Sequence, residues 1–442
     1  MPTTKSAVDL LGDLDEMPGS EAPFVRDLRA QGALLFESQG LPTRRNEAWK
    51  YTDMSGLARE GLAPAPVREL SPTRAREYLA RIEPSPAVVH VVLARGRMAG
   101  DPVLEGELPA GVHLHSLRRL LEENPSFLEG RLGACANMDR HPFVALNTAM
   151  VQDGLVLHLE PGAVLERPIN LIAFNGGGER PEAFHVRHLV IAEEGARARI
   201  VSTHADLDEG VHFSNVVTEV LLGPAAEIEH YELQREADDA WHVSMLAVRQ
   251  ERESRFRSTA VSMGARVARN EIALLLDGEG ASCELSGVSL GGGTRHLDTH
   301  IHVDHARPET TSSENYRAVL DDRSTGVFTG RVLVREGSQK ADASQACRTL
   351  LLSRLATVDV RPQLEIYADD VKCSHGATTG RLDPGAVFYL RSRGIPAEDA
   401  ERILTHAFAQ EVLSGVAEEE IGRYLRRSVA DYLGAHVDVP EA

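Results

Sequence analysis

The residues best suited to chemistry lie near the C-terminus, in Val371-Lys372-Cys373-Ser374-His375-Gly376. If this segment is extended, Cys373 and His375 point to the same face, about 6.6 Å apart along the strand. One metal ion could accept both, since metal–sulfur and metal–imidazole bonds are about 2.3 and 2.0 Å. Two ligands do not close a site, so the remainder must come from a partner chain or a substrate. Thiolate and imidazole suit iron and iron–sulfur chemistry better than hard, oxygen-seeking cations. A buried thiol beside a solvated histidine gives the same C-x-H pattern, and spacing alone leaves both readings open. Lys372 turns to the opposite face of an extended segment and is not placed to activate the thiol.

A second constellation is His296-Leu297-Asp298-Thr299-His300-Ile301-His302-Val303-Asp304-His305. On a strand, His296, Asp298, His300, His302 and Asp304 share one face, while Leu297, Ile301 and Val303 share the other. The polar face has the outline of a metal-binding ladder. It is equally the outline of a polar outer face, solvated or in an interface, over an apolar inner one. The phosphate-cradling G-x-x-x-x-G-K-[ST] loop is absent, as are G-x-S-x-G, H-E-x-x-H and an EF-hand loop. Neither Gly176-Gly177-Gly178 nor Gly291-Gly292-Gly293 both follows a strand and opens a helix, as a phosphate cradle should, and they read as turns.

The elements that must position these residues fall into three regions. Residues 1–140 read as mostly helical with a short β segment. From Ala22 to Gln39, Phe24, Leu28, Gln31 and Leu35 recur at helical spacing, and Gly40 ends the helix. The stretch Gly61 to Pro72 reads as a linker, Ala87 to Leu93 as a β run, and His115 to Glu123 as a short helix. Residues 141–368 read as a β core. Runs such as Glu227-Ile228-Glu229-His230-Tyr231-Glu232-Leu233 alternate with one apolar face, and small-residue breaks such as Glu194-Gly195-Ala196 and Gly280-Ala281 divide them. From about Phe143 to Ile366 no helical pattern intervenes. So long an all-β stretch must close on itself to manage its edges, and uneven spacing favours a β-helix over a propeller, with a sandwich as the alternative. Residues 369–442 read as helical. Ala400, Ile403, Leu404, Ala407, Phe408 and Val412 form one apolar stripe, and Ile421, Tyr424, Leu425 and Val429 a second. Such helices either pack on the body or dock on a partner.

Composition narrows the partners. With 47 basic and 66 acidic residues the net charge is −19, which disfavours nucleic acid and anionic membrane surfaces. Four cysteines (Cys135, Cys283, Cys347, Cys373) form no C-x-x-C pair and read as free thiols in a reducing compartment. No run of eighteen apolar residues and no basic-then-apolar leader occurs, so a cytoplasmic protein without a membrane span is expected.

Several segments together resemble a known family. These are Pro42-Thr43-Arg44-Arg45-Asn46-Glu47-Ala48-Trp49-Lys50-Tyr51-Thr52-Asp53, Phe143-Val144-Ala145-Leu146-Asn147-Thr148-Ala149, and Asp321 to Arg331. The most specific runs from Pro362 through Cys373-Ser374-His375-Gly376 to Gly394. In order and content they resemble the SufB/SufD family of iron–sulfur cluster assembly scaffold proteins. Where SufB-type chains carry acidic residues around the histidine, Cys373-Ser374-His375-Gly376 places this chain on the SufD side.

The resemblance implies a mainly β fold, a right-handed parallel β-helix between helical terminal regions. It implies a non-catalytic scaffold that pairs with a SufB-like subunit through the β-helix and binds a SufC-like ATPase through C-terminal helices, with Leu404 and Phe408 on the docking stripe. A homodimer of the chain alone stays open. His375 and Cys373 correspond to candidates for iron or cluster coordination, and Cys347 lies where a SufB cysteine serves assembly. The isolated chain is expected to hold no stable cofactor, and the complex a nascent iron–sulfur cluster or iron. For the histidine ladder the resemblance implies a structural or interface role. The competing readings are a β-helix hydrolase or lyase, a metal-dependent enzyme using His296–His305, and a homodimeric binding protein without an iron–sulfur role. The first needs an acid–base pair in a groove, and no paired carboxylates stand out.

Overall fold

Alternating aliphatic residues divided by tight corners wind most of the chain into a parallel β-solenoid of about seven turns. A computed structural model describes residues 10–65, 89–100, 103–104, 107–176, 180–208 and 210–434. The coils build two long sheets. One runs from Leu155–Leu159 through Glu182–Ala192, His212–Leu222, Ala240–Gln250, Val267–Leu276, His296–His305 and Thr325–Val334 to Thr357–Ile366. The other runs from Ile169–Gly176 through Arg197–Asp208, Glu227–Gln234, Arg255–Ser262, Ser282–Gly291, Thr311–Leu320 and Asp342–Leu351 to Lys372–Gly380. In-register pairing stacks like on like: Leu157, Val190, Val220, Val248, Leu274, Val303 and Val332 form one continuous inner ladder, all buried. Each such side chain contributes about 1.5–3 kcal/mol of burial.

The corners stack as well. Gly162, Gly195, Ala225, Glu253, Gly280, Glu309 and Lys340 all adopt positive φ, and each donates its N–H to a carbonyl of the following coil. The small-residue breaks read in the sequence fall at these corners, but the left-handed position itself accepts Ala, Glu and Lys when the interstrand bond holds it. The last strand, Lys372–Gly380, belongs to the solenoid, which therefore runs on beyond residue 368.

The start of the core differs from the expectation of strands from Phe143. Pro142–Met150 is an α-helix, buried along its whole length, with Pro at its first turn. A helix apolar on every side shows no stripe, so periodicity missed it. The Asn147 amide ties it to the solenoid, donating to the Val186 and Asn215 carbonyls at 2.8 and 3.0 Å. The helix Pro23–Gln39 packs against it, but its buried face is Val25, Arg29, Gly32 and Phe36, one position along from the apolar spacing read in the sequence. Gly32 is there for close approach: a Cβ would stand 2.8 Å from the Ala145 carbonyl oxygen. Arg29 donates to the Ala149 and Pro18 carbonyls at 3.2 and 2.8 Å. Among the described residues the β run is Val89–Ala94, and the short helix is Leu117–Glu123, capped by the Ser116 hydroxyl. Residues 66–72 of the linker, Ala87, Val88, Gly177 and Gly178 lie outside the described residues.

At the C-terminus, Pro384–Ser392, Ala397–Gln410 and Glu419–Tyr432 are helices. Ala409, Val412, Ile421, Tyr424, Leu425 and Val429 pack on the outer face of the second sheet, against Tyr231, Leu233, Val261, Leu290 and Val319.

Candidate functional site

The C-terminal end of the solenoid leaves two strands with one free edge each. Among the described residues Thr357–Ile366 pairs only with Thr325–Val334, and Lys372–Gly380 only with Asp342–Leu351. Cys373 and His375 both lie in the second of these, so the extended conformation expected for them holds. The register sets Cys373 beside Ala343, His375 beside Gln345, and Ala377 beside Cys347. Period two therefore puts Cys373, His375 and Cys347 on one face of the sheet. Cys373 is half-buried against Val332, Val334, Ala341, Ala343 and Ala368, His375 is exposed, and Cys347 is buried beneath the last coil.

Their electrostatics separate them. Burial pushes the Cys347 thiol up to about 12. Burial, then the nearby Asp342 carboxylate, raises Cys373 as well, so neither thiol is a thiolate without a cation or positive partner beside it. Behind His375 the inner ladder continues to Gln345 and then Glu314. The Gln345 Nε2 donates to Glu314 Oε2 at 2.6 Å, while Glu314 Oε1 is buried without a hydrogen-bond partner among the described residues. Burial pushes this carboxyl up to about 7. Sequence pattern missed Glu314 because polar residues on a strand read as outward; its register with Gln345 and His375 is what reveals it.

The open end is also apolar. Tyr367 is 63% exposed and Phe388 72%, and Leu355, Ile366 and Tyr389 are exposed beside the same two strands or on the helix that follows them. On Ala397–Gln410 the structure buries Ala400, exposes Ile403 and Ala407, and leaves Leu404 half-buried. Phe408 turns toward the body: the Arg317 guanidinium stacks over its ring at 4.8 Å and donates to its carbonyl at 2.8 Å.

The histidine ladder lies elsewhere. Its polar residues face out from the solenoid, with Leu297, Ile301 and Val303 inside, but the N-terminal segment covers much of that face. Thr52 Oγ1 sits 2.9 Å from His296 Nε2 and donates to Asp298 Oδ2 at 2.5 Å. Arg269, from the neighbouring strand, binds Asp298, Glu271 and His300, with Trp49 stacked over its guanidinium at 3.9 Å. Asp304 pairs with Arg335. Internal contacts thus engage His296, Asp298, His300 and Asp304, with Thr52 of the block Pro42–Asp53 bound to the first two, while Asp298 Oδ1 and His302 Nδ1 are buried without a hydrogen-bond partner among the described residues.

Comparison with known proteins bears on the whole chain. Residues 174–408 match the family model described as SUF system FeS cluster assembly, SufBD core domain, and residues 12–171 match the SufBD protein N-terminal region. An iron–sulfur cluster assembly SufBD family protein of Synechocystis is 29% identical over 93% of this chain and 92% of its own. The iron–sulfur cluster assembly protein SufD of Escherichia coli is 29% identical over 86% of each. The chloroplastic protein ABCI7 of Arabidopsis thaliana is 29% identical over 97% of this chain and 90% of its own. No helix among the described residues is long and apolar enough to cross a membrane. With both halves matched and the solenoid in place, the chain belongs to the SufBD family of iron–sulfur cluster assembly proteins.

Proposed function

We propose that this chain is the non-catalytic SufD-type scaffold subunit of a cytoplasmic assembly complex, and that the open end of its solenoid is where a SufB-like subunit and the nascent cluster meet. The observation that carries this reading is the free edge strand Lys372–Gly380, which presents Cys373 and His375 on one face beside exposed apolar side chains. Unpaired edges of nine and ten residues are templates for strand addition, and an apolar rim adds burial to the backbone pairing. Two donors at such an edge leave coordination positions for a partner's ligands, which suits a cluster held as cargo and passed on. The C-terminal helices, with Leu404 and Ile403 partly or largely uncovered, are the proposed seat of a SufC-like ATPase.

The test is purification with SufB-like and SufC-like partners under anaerobic conditions. His375→Ala is expected to lower iron and sulfide recovered with the complex while leaving assembly and ATP hydrolysis intact. Cys373→Ser is expected to do so more weakly, because a shared cluster can take another sulfur. Unchanged cluster content in His375→Ala would remove this edge from consideration. A chain that forms only homodimers and recovers neither partner would favour the homodimeric binding protein.

A further inference from the structure

Asp206 lies near the end of the strand Arg197–Asp208 and His212 opens the next, Glu236 and His242 take the corresponding places one coil on, and the register sets Ser214 beside His242. The corner is lined with polar groups buried inside the solenoid. His212 is 1% exposed, Glu236 2% and His242 not at all. Ligand atoms of Asp206, His212 and Glu236 all lie within 4.8 Å of one another. The His212 Nε2 stands 3.2 Å from Asp206 Oδ1 and 3.5 Å from Glu236 Oε1, yet lies off the line of a hydrogen bond to either.

The surroundings orient this ring as a ligand. His212 Nδ1 lies 3.0 Å from the Gly210 carbonyl oxygen. A carbonyl only accepts, so Nδ1 carries the proton and Nε2 is the nitrogen turned to the carboxylates. A backbone carbonyl on one ring nitrogen with the other left for a cation is the common outer arrangement of metal-bound histidine. Glu236 is fixed in the same way. Its Oε1 accepts from the Ser214 hydroxyl at 2.5 Å, its Oε2 from the Gln234 amide at 3.1 Å, and His242 Nδ1 lies 2.7 Å from Oε2. The second oxygen of Asp206 accepts the Ala237 N–H. Asp206 and Glu236 thus turn carboxylate oxygens toward one imidazole nitrogen inside the fold, a buried donor set of the kind that takes up a cation.

We propose that Asp206, His212 and Glu236 form a resident divalent-metal site inside the solenoid, with Ser214, Gln234 and His242 orienting the Glu236 carboxylate. One nitrogen and two carboxylates without sulfur select a first-row ion of the Mn²⁺, Fe²⁺ or Zn²⁺ class rather than Cu⁺ or a cluster. Bonds of about 2.0–2.2 Å place donors on one ion about 3–3.6 Å apart, the separations at which His212 Nε2 stands from Asp206 Oδ1 and Glu236 Oε1. The site clamps two adjacent coils and is separate in sequence and register from the Cys373–His375 edge. It does not rest on the function proposed for that edge.

The full-length chain is stripped with chelator, dialysed against Zn²⁺ or Mn²⁺, and its metal content and thermal midpoint measured. One ion per chain and a raised midpoint are expected. Asp206→Asn and Glu236→Gln should each weaken binding at least about tenfold. Cys373→Ser with His375→Ala should retain the ion. No ion at equivalence in the unmodified chain, unchanged binding in Asp206→Asn and Glu236→Gln, or loss in the edge variant overturns the proposal. Should both carboxylate variants fail to fold, Co²⁺ in the unmodified chain decides. One equivalent without a thiolate charge-transfer band supports the site, and a thiolate band refutes it.

Discussion

Arg269→Met tests whether the histidine-rich strand is an internal anchor. Met keeps much of the apolar stem but removes the guanidinium, which donates to Glu271 Oε1 at 2.7 Å and to Asp298, and meets His300 Nδ1 at 2.7 Å. Asp298 and Glu271 are 2% and 6% exposed, so two buried carboxylates lose their cation. Breaking a buried pair in this way costs about 3–5 kcal/mol. Losing the stack under Trp49 adds about 1–2 kcal/mol. Against a total stability of about 5–15 kcal/mol, the urea midpoint should fall by a large fraction. Unfolding is followed by tryptophan fluorescence, because Trp49 is buried at this contact, and limited proteolysis should newly cut between residues 42 and 60. The effect also carries a pH signature. Burial alone would raise the Glu271 carboxyl, but Arg269 and then His141 hold it well below its ordinary 4.5. A depressed carboxyl stabilises the fold above the unfolded pKa and loses that contribution as pH falls through the folded one. The gap between the native chain and Arg269→Met is therefore full at pH 7 and narrows on acidification below about 4.5. A variant within about 1 kcal/mol at pH 7, or a gap that widens in acid, refutes the anchor.

Glu219→Gln should cost about 3–5 kcal/mol in urea unfolding, because Glu219 takes two bonds from buried Arg187 and the N–H groups of Gly133, Cys135 and Ala136; a change below about 1 kcal/mol contradicts that role. Gly154→Ala puts a Cβ 1.8 Å from the Arg187 carbonyl oxygen and should lower stability by about 3 kcal/mol, whereas Gly337→Ala meets open space and should be near neutral. Native-state alkylation at pH 8 with mass mapping should modify half-buried Cys373 before Cys283 and Cys347, both buried with raised thiols. Labelling of Cys347 ahead of Cys373 would show that the last coil opens.

The solenoid was legible because its inner ladder is aliphatic and Gly or Ala marks several of its corners. The strand Glu227–Gln234 shows where that reading stops. Its register with Phe256 and Cys283 turns Ile228, His230, Glu232 and Gln234 inward, while Tyr231 and Leu233 face outward to meet the C-terminal helices. Apolar residues thus occupy both faces, and the polar ones at inward positions look solvated until the coils are stacked. For the same reason Glu314 and the Asp206–His212–Glu236 corner carried no local signal: their partners come from neighbouring coils about thirty residues away. Cys373 and His375 could be found from spacing because both ligands lie on one strand. The helix Pro23–Gln39 was found but its face was not, since Arg29 and Gly32 are buried by hydrogen bonding and close approach rather than by apolarity.

The two ends of the solenoid are unequal. At the N-terminal end the sheets finish in short antiparallel additions, Val112–Ser116 on one and Arg97–Met98 and Val103–Leu104 on the other. At the C-terminal end they stop at full-length parallel strands. On the assembly proposed above, the molecule has a valence of one along the solenoid: a partner that pairs with the two terminal strands of the C-terminal end finishes the stack, and addition stops there instead of continuing coil on coil. Removing the antiparallel strands would raise the valence to two, and solenoids that add at both ends grow into filaments whose length rises with concentration.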